Sequence, residues 1–205
     1  MFLPYALIID LTGYKPGRFQ KPKKIIFSTK SELEDAVDSC LKLSSVGDCS
    51  TGSHGSIGEW DVSQVISMDN MFTEAQSFEQ DLSKWNVAKA TSMNAMFLQA
   101  SNFNGDLSGW NVGQVTRMDN LFDGAKSFDG DLSKWDVAQV DGMSWTFSQA
   151  IAFNGDLSQW NVGKVTNMQG MFYQARAFNQ DVSKWNVAKV TRMQGMFNSA
   201  SVFNG

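Results

Sequence analysis

The chain has 205 residues, 42% of them hydrophobic, with a formal net charge of -4, which is apolar enough for a folded core and excludes an intrinsically disordered chain. The charge is unevenly spread: residues 1–30 carry six Lys or Arg against Asp10 alone, leaving eleven basic and twenty acidic groups in the rest. Such an acidic body excludes a nucleic-acid surface there, because phosphate contacts need clustered Lys or Arg, and no run approaches the roughly 20 apolar residues of a membrane-spanning helix.

Residues 1–28 read as an extended basic docking arm. Apolar Phe2, Leu3, Tyr5, Leu7 and Ile8 precede Lys15, Arg18, Lys21, Lys23 and Lys24, a combination suited to seating the chain on a larger assembly. The start lacks a basic leading segment and a small-residue cleavage site, so it is a poor signal peptide.

Residues 29–59 follow as an N-terminal cap and linker. Thr29 and Glu32 have the spacing of a capping box, and Leu33, Ala36, Val37, Cys40 and Leu41 form one apolar stripe, which predicts a helix over 29–42. Cys40 and Cys49 bracket a short loop that a disulfide can close; two buried thiols are the alternative. A disulfide implies an oxidising compartment, either outside the cell or in an organelle lumen. The Gly-rich stretch 47–58 leads into the body.

From residue 60 to 205 the chain is a repeat. Trp60, Trp85, Trp110, Trp135, Trp160 and Trp185 open six copies at a constant 25-residue period, the last incomplete. That period falls in the range of leucine-rich repeats and is too short for helix-pair repeats. In each copy a segment such as Met168-x-x-Met171-Phe172-x-x-Ala175 has the spacing of one helical face. Thr91, Thr116, Thr166 and Thr191, with Asp141 in the fourth copy, stand where helix N-caps belong. The rest, Phe-Asn-x-Asp-Leu-Ser-x-Trp-Asn-Val, reads as a turn and a very short strand. The expected architecture is an α/β solenoid, a right-handed leucine-rich-repeat-like coil of short parallel strands and short helices. The chain stops at Phe203-Asn204-Gly205 in mid-unit, which reads as a fragment of a longer repeat protein or an end covered by another chain.

The template Trp-(Asn/Asp)-Val-x-x-Val-Thr-x-Met-x-x-Met-Phe-x-x-Ala-x-x-Phe-Asn-x-Asp-Leu-Ser-x resembles the BspA-type leucine-rich-repeat surface proteins over residues 60–205. The upstream run Phe27-Ser28-Thr29-Lys30-Ser31-Glu32-Leu33 with Ala36-Val37-Asp38 and Gly47-Asp48-Cys49 is similar to the leader that precedes such repeats in algal and protist members. The resemblance implies adhesion or protein binding, often outside the cell, and no chemistry.

The residues agree with a non-enzymatic reading. His54 is the only His and falls in the Gly-rich loop, and no nucleophile, phosphate-cradling or metal-ligand motif is present; no cofactor is expected. Asp81, Asp106, Asp131, Asp156 and Asp181 would stack into one file that Ca²⁺ could bridge, although capping of the turn that follows each explains them better. The Trp file could form a sugar platform, yet its regularity favours core. The Thr file has the look of an ice-binding surface, but helix capping accounts for it. In the fourth copy Ser144-Trp145-Thr146-Phe147 breaks the pattern, through drift or as an aromatic for a partner. Partner recognition is left to the arm and to positions that change between copies, Thr73/Leu98/Asp123/Ser148/Tyr173/Asn198 and Glu74/Gln99/Gly124/Gln149/Gln174/Ser199. The expected function is a protein-interaction scaffold, an accessory subunit on a larger assembly; an extracellular adhesion or carbohydrate-binding module is the alternative. A polysaccharide-cleaving enzyme is disfavoured, because no copy installs paired acids.

Overall fold

A computed structural model describes residues 25–204. Helix α1, Lys30–Leu43, begins where the Thr29 hydroxyl accepts from the Glu32 N–H at 3.2 Å and the Glu32 carboxylate accepts from the Thr29 N–H at 3.1 Å. Each group satisfies a backbone donor that the first helical turn leaves open. The stripe Leu33, Ala36, Val37 and Cys40 is buried. Cys40 and Cys49 are paired as a disulfide, with 5.2 Å between their Cα atoms, so the end of α1 is tied to the loop after it.

That loop covers the first repeat. The Val46 carbonyl accepts from the Glu79 N–H at 3.4 Å and from the Gln80 amide at 3.1 Å. Gly47, at φ +84°, lies so near the Phe78 ring that a Cβ would sit 2.5 Å from it. Only glycine fits both the conformation and the space.

Ile25 to Phe27, the tail of the expected arm, belong to the body instead. Ile26 makes a parallel bridge with Asp61, the Phe27 N–H donates to the Asp61 carbonyl and the Asp61 N–H to the Ile25 carbonyl, both at 2.9 Å. Phe27 is buried with its ring 5.1 Å from that of Trp60. Residues 1–24, with every docking residue named above, lie outside the described residues.

Beyond Trp60 the copies stack one on the next. Ser67, Ser92, Arg117, Gly142, Asn167 and Arg192 are joined by successive one-residue parallel bridges, each 25 positions from its partner. The pairing sits just ahead of the Met-rich segment, not in the Asp-Leu-Ser-x-Trp half where the sequence places the strand. Beside it, the hydroxyls of Thr116, Thr166 and Thr191 donate to the carbonyls of Thr91, Asp141 and Thr166 at 3.1 to 3.2 Å. These threonines tie copies together; they cap no helix.

The expected short helix in each copy is absent among the described residues. Where it was placed, the chain makes two consecutive turns: Met71 N–H to Met68 carbonyl at 3.4 Å, then Ala75 N–H to Phe72 carbonyl at 3.1 Å. The intervening N–H groups of Asn70, Phe72 and Glu74 donate to Asn94, Met96 and Leu98 of the next copy at 2.7 to 2.9 Å. A helix needs right-handed residues throughout, and here Asn70 and Glu74 are left-handed, with φ of 62° and 60°, as the third residue of a type II turn must be. Turns repeated every four residues face inward at the same i, i+3, i+4, i+7 positions as a helix, so the apolar spacing is identical.

The core is columnar. Phe72, Phe97, Phe122, Phe147, Phe172 and Phe197 stack at 5.4 to 5.6 Å between ring centroids. A second file from Phe78 to Phe203 stacks at 5.8 to 6.1 Å. Within a copy the two rings meet at 3.9 to 4.3 Å. The six Trp that open the copies, Trp60 to Trp185, are buried, and their indole N–H groups are used. Trp85, Trp110, Trp135, Trp160 and Trp185 donate to the carbonyls of Ile57, Leu82, Leu107, Leu132 and Leu157 at 2.9 to 3.1 Å, each 28 residues back. Side-chain oxygens do the same across copies. Asn104, Asp129, Asn154 and Asn179 accept from the N–H groups of Asp129, Asn154, Asn179 and Asn204 at 2.8 to 3.1 Å. A copy is finished by the one above it: Met168 is fully buried, whereas Met193, its counterpart in the last copy, is 41% exposed.

Replacing Trp110 with Phe keeps a ring in the core but removes a buried donor from the Leu82 carbonyl. The expected loss is about 2 kcal/mol, read as a lower urea midpoint with an unchanged slope. Joint replacement of Cys40 and Cys49 by Ala releases a loop with a sequence separation of 9 and is expected to cost about 2–3 kcal/mol, matched by reducing agent on the parent chain and absent from the variant.

Candidate functional site

The residues that recur in every copy are consumed by the frame. The Trp file carries no exposed platform, because its rings are core and its N–H groups are taken. In the Asp file, the Oδ1 atoms of Asp81, Asp106, Asp131, Asp156 and Asp181 accept from the N–H of the Ser two residues on at 2.8 to 2.9 Å. At Asp81, Asp106, Asp131 and Asp181 the Ser hydroxyl, then its N–H, holds the carboxyl below its ordinary range. At Asp156 the Ser158 N–H leads and the hydroxyl follows. These carboxylates brace turns. Among the described residues, no group of three or more His, Cys, Asp or Glu is disposed to hold a metal ion.

His54 packs its ring 5.9 Å from those of Phe27 and Trp60, with Nδ1 at 3.1 Å from the Ser53 hydroxyl. Ser53 is its sequence neighbour and exposed, and among the described residues no carboxylate is hydrogen-bonded to the ring. A cavity of about 40 Å³ lies beside it, lined by Ala36, Ser39, the disulfide and Trp60, room for little more than water.

Copies differ at several registers, among them the Ser67/Ser92/Arg117/Gly142/Asn167/Arg192 and Gln76/Ser101/Lys126/Ile151/Arg176/Ser201 files, and three further variable files run side by side along the left-handed turns. Positive φ recurs at Asn70, Ala95, Asn120, Trp145, Gly170 and Gly195, and again at Glu74, Gln99, Gly124, Gln149, Gln174 and Ser199. The second set is one of the variable files seen in the sequence; the first was missed. Its signal was present, because Asn and Gly at one register of a repeat are the residues that tolerate a left-handed backbone. Between the two files runs Thr73, Leu98, Asp123, Ser148, Tyr173 and Asn198. Asn70, Gln99, Asn120, Gln149 and Gln174 put amides along this face, and Glu74 is the only charge in the two left-handed files.

The fourth and fifth copies break the monotony. Trp145 takes φ 58°, a conformation bulky residues avoid. Its ring lies over Gly170 of the next copy, where a Cβ would stand 2.3 Å from the ring. Tyr173 meets it edge-on, 5.7 Å between centroids at 70°, and the Gln174 amide donates to the Tyr173 hydroxyl at 3.2 Å. Thr146, where the other copies carry Met or, in the third, Leu121, is buried with its one hydroxyl proton placed between the Met143 and Met118 carbonyls, at 2.7 and 3.1 Å. The buried hydroxyl of the substituted residue is thus satisfied by backbone acceptors. One copy below, Asp123 has an Oδ1 that is buried without a partner, and burial pushes its carboxyl up while the Ser148 hydroxyl opposes.

The molecule is defined as a repeat protein in which 25-residue units bond and stack on their neighbours, with a disulfide-tied cap at one end. Residues 43–117 and 105–205 match the family described as Mycoplasma protein of unknown function, DUF285. The chain belongs to that family. Searches of curated proteins and of solved structures find no match. Among the described residues no helix is long and apolar enough to cross a membrane.

The Asp file sets the acid response. A carboxyl whose folded value is depressed stabilises the fold above its unfolded value, about 3.9, and that contribution disappears as pH falls through and below it. Stability is therefore expected to drop from about pH 4 downward. Replacing Ser133 and Ser158 by Ala removes the hydroxyl donors and should flatten the drop, measured as thermal midpoints between about pH 2 and 6. Asp123 has the opposite sign: Asp123→Asn should stabilise the chain at neutral pH, with the gain fading in acid.

Proposed function

We propose that this chain is a non-catalytic interaction scaffold, a solenoid of the leucine-rich-repeat-like, BspA-type kind. One observation carries the reading: the recurring Trp, Phe and Met residues are buried in the stack and each recurring Asp braces its own turn, whereas three variable files of side chains run together along the left-handed turns. A rigid frame with a variable face is the arrangement of repeat proteins that recognise partners. The partner is a protein, and the basic, apolar segment of residues 1–24 is the second point of attachment, seating the chain on a larger assembly. The Cys40–Cys49 pair supports an oxidising setting, at the cell surface, secreted or in an organelle lumen. Adhesion through a carbohydrate is the second reading, favoured by the amides and the aromatic pair on the same face.

The test keeps the frame and changes the face. Leu98→Ser, Trp145→Ala and Tyr173→Asn together install residues that other copies already carry in the same files, as at Ser148, Ala95 and Asn198. With an unchanged thermal midpoint, this variant should bind the partner isolated with the native chain at least about tenfold more weakly. Equal affinity would overturn the reading. Deletion of residues 1–24 separately tests the arm, by loss of co-sedimentation with the assembly.

A further inference from the structure

We propose that Trp145, Tyr173, Gln149 and Gln174 form a sugar-stacking subsite for a neutral, β-linked pyranose chain. The proposal rests on the second reading above, adhesion through a carbohydrate, and names the class of sugar and the residues that would hold it. Trp145 is held in a costly backbone conformation at φ 58°, and the ring is laid across the surface of the next copy because Gly170 offers no side chain beneath it. Neither Trp145 nor Tyr173 is sealed in the core, unlike the Trp and Phe residues of the frame. An aromatic surface of this kind fits the C–H face of a pyranose ring with equatorial substituents, which is apolar.

The polar groups around it are the ones that read hydroxyls. Gln149 follows in the same copy, and the Gln174 amide and the Tyr173 hydroxyl are already oriented on each other at 3.2 Å. Amides and phenols donate and accept together, as a sugar hydroxyl does. The left-handed files carry only Glu74 as a charge, although residues 31–205 hold twenty acidic and eleven basic groups. Trp145, Tyr173, Gln149 and Gln174 are themselves uncharged, although Asp123 lies between the two files, and an uncharged subsite favours an uncharged ligand over a basic peptide or a polyanion.

The experiment is calorimetric titration of the full chain with cellohexaose and with chitohexaose, and with a hexameric galacturonate as the anionic arm. Binding of one of the neutral hexamers is expected, with Trp145→Ala weakening it at least about tenfold. Ala95 already occupies that position in another copy, so the variant fits the frame. Gly170→Ala is expected to lose as much while leaving the indole in the chain, because the new Cβ displaces the ring. Gly195→Ala is the control, at a similar φ of +65° but with only Asn198 Cβ near, at 3.9 Å, and should bind as the parent does. Failure of both neutral hexamers at millimolar concentration, unchanged binding by Trp145→Ala, or binding of the galacturonate alone overturns the proposal. Loss of the protein partner by Trp145→Ala without any sugar binding would overturn the sugar and leave the scaffold standing.

Discussion

The indole N–H that reaches back 28 residues to a Leu or Ile carbonyl is the bond on which the rest of the repeat depends. It is longer than the period by three residues, so each Trp reaches past the Trp that opens the preceding copy to the residue three before it. A buried carbonyl deprived of such a donor is costly; the position therefore demands an aromatic ring that is also a donor, which Phe is not. With the turns so pinned, the Phe files fall into register at ring-stacking distance and the side-chain ladders of Asn104, Asp129, Asn154 and Asn179 close. Apolar burial supplies most of the driving force. The directional bonds fix which turn lies on which.

Much of this was legible. The period, the cap helix with its Thr29–Glu32 box, the pairing of Cys40 with Cys49 and the core placement of Trp, Met and Phe all follow from spacing and side-chain type, and are seen. The conformation between Met68 and Ala75 was not legible, because paired turns and a helix bury the same positions. What separates them is where the alternate N–H groups go, and their acceptors lie in the next copy. A sequence read one unit at a time has no access to that. The residues at Asn70, Asn120, Gly170 and Gly195 were the available clue, visible only when the copies are compared column by column. For the same reason the Thr file was assigned to caps rather than to carbonyls 25 residues away.

The variable face and the frame have the same origin. Left-handed residues let alternate N–H groups bond to the next turn, and they also lay their side chains along the surface instead of into the core. Trp145 over Gly170 shows what this permits: a large aromatic added to a regular coil without disturbing the Phe files beneath, whose spacing at Phe122, Phe147 and Phe172 is unchanged. Variation at the surface is decoupled from the core. That decoupling is what a recognition scaffold needs, since new contacts can be tried without refolding the protein.

The overhang of the indole bond has a consequence for how such chains can grow. Because each unit is fastened across its own boundary, the repeat has no natural seam. A duplication of any 25-residue window, cut at any residue, regenerates every indole, side-chain and backbone bond, whereas insertion of one residue breaks all of them at that level. The fold therefore accommodates changes of length in whole units and penalises all others.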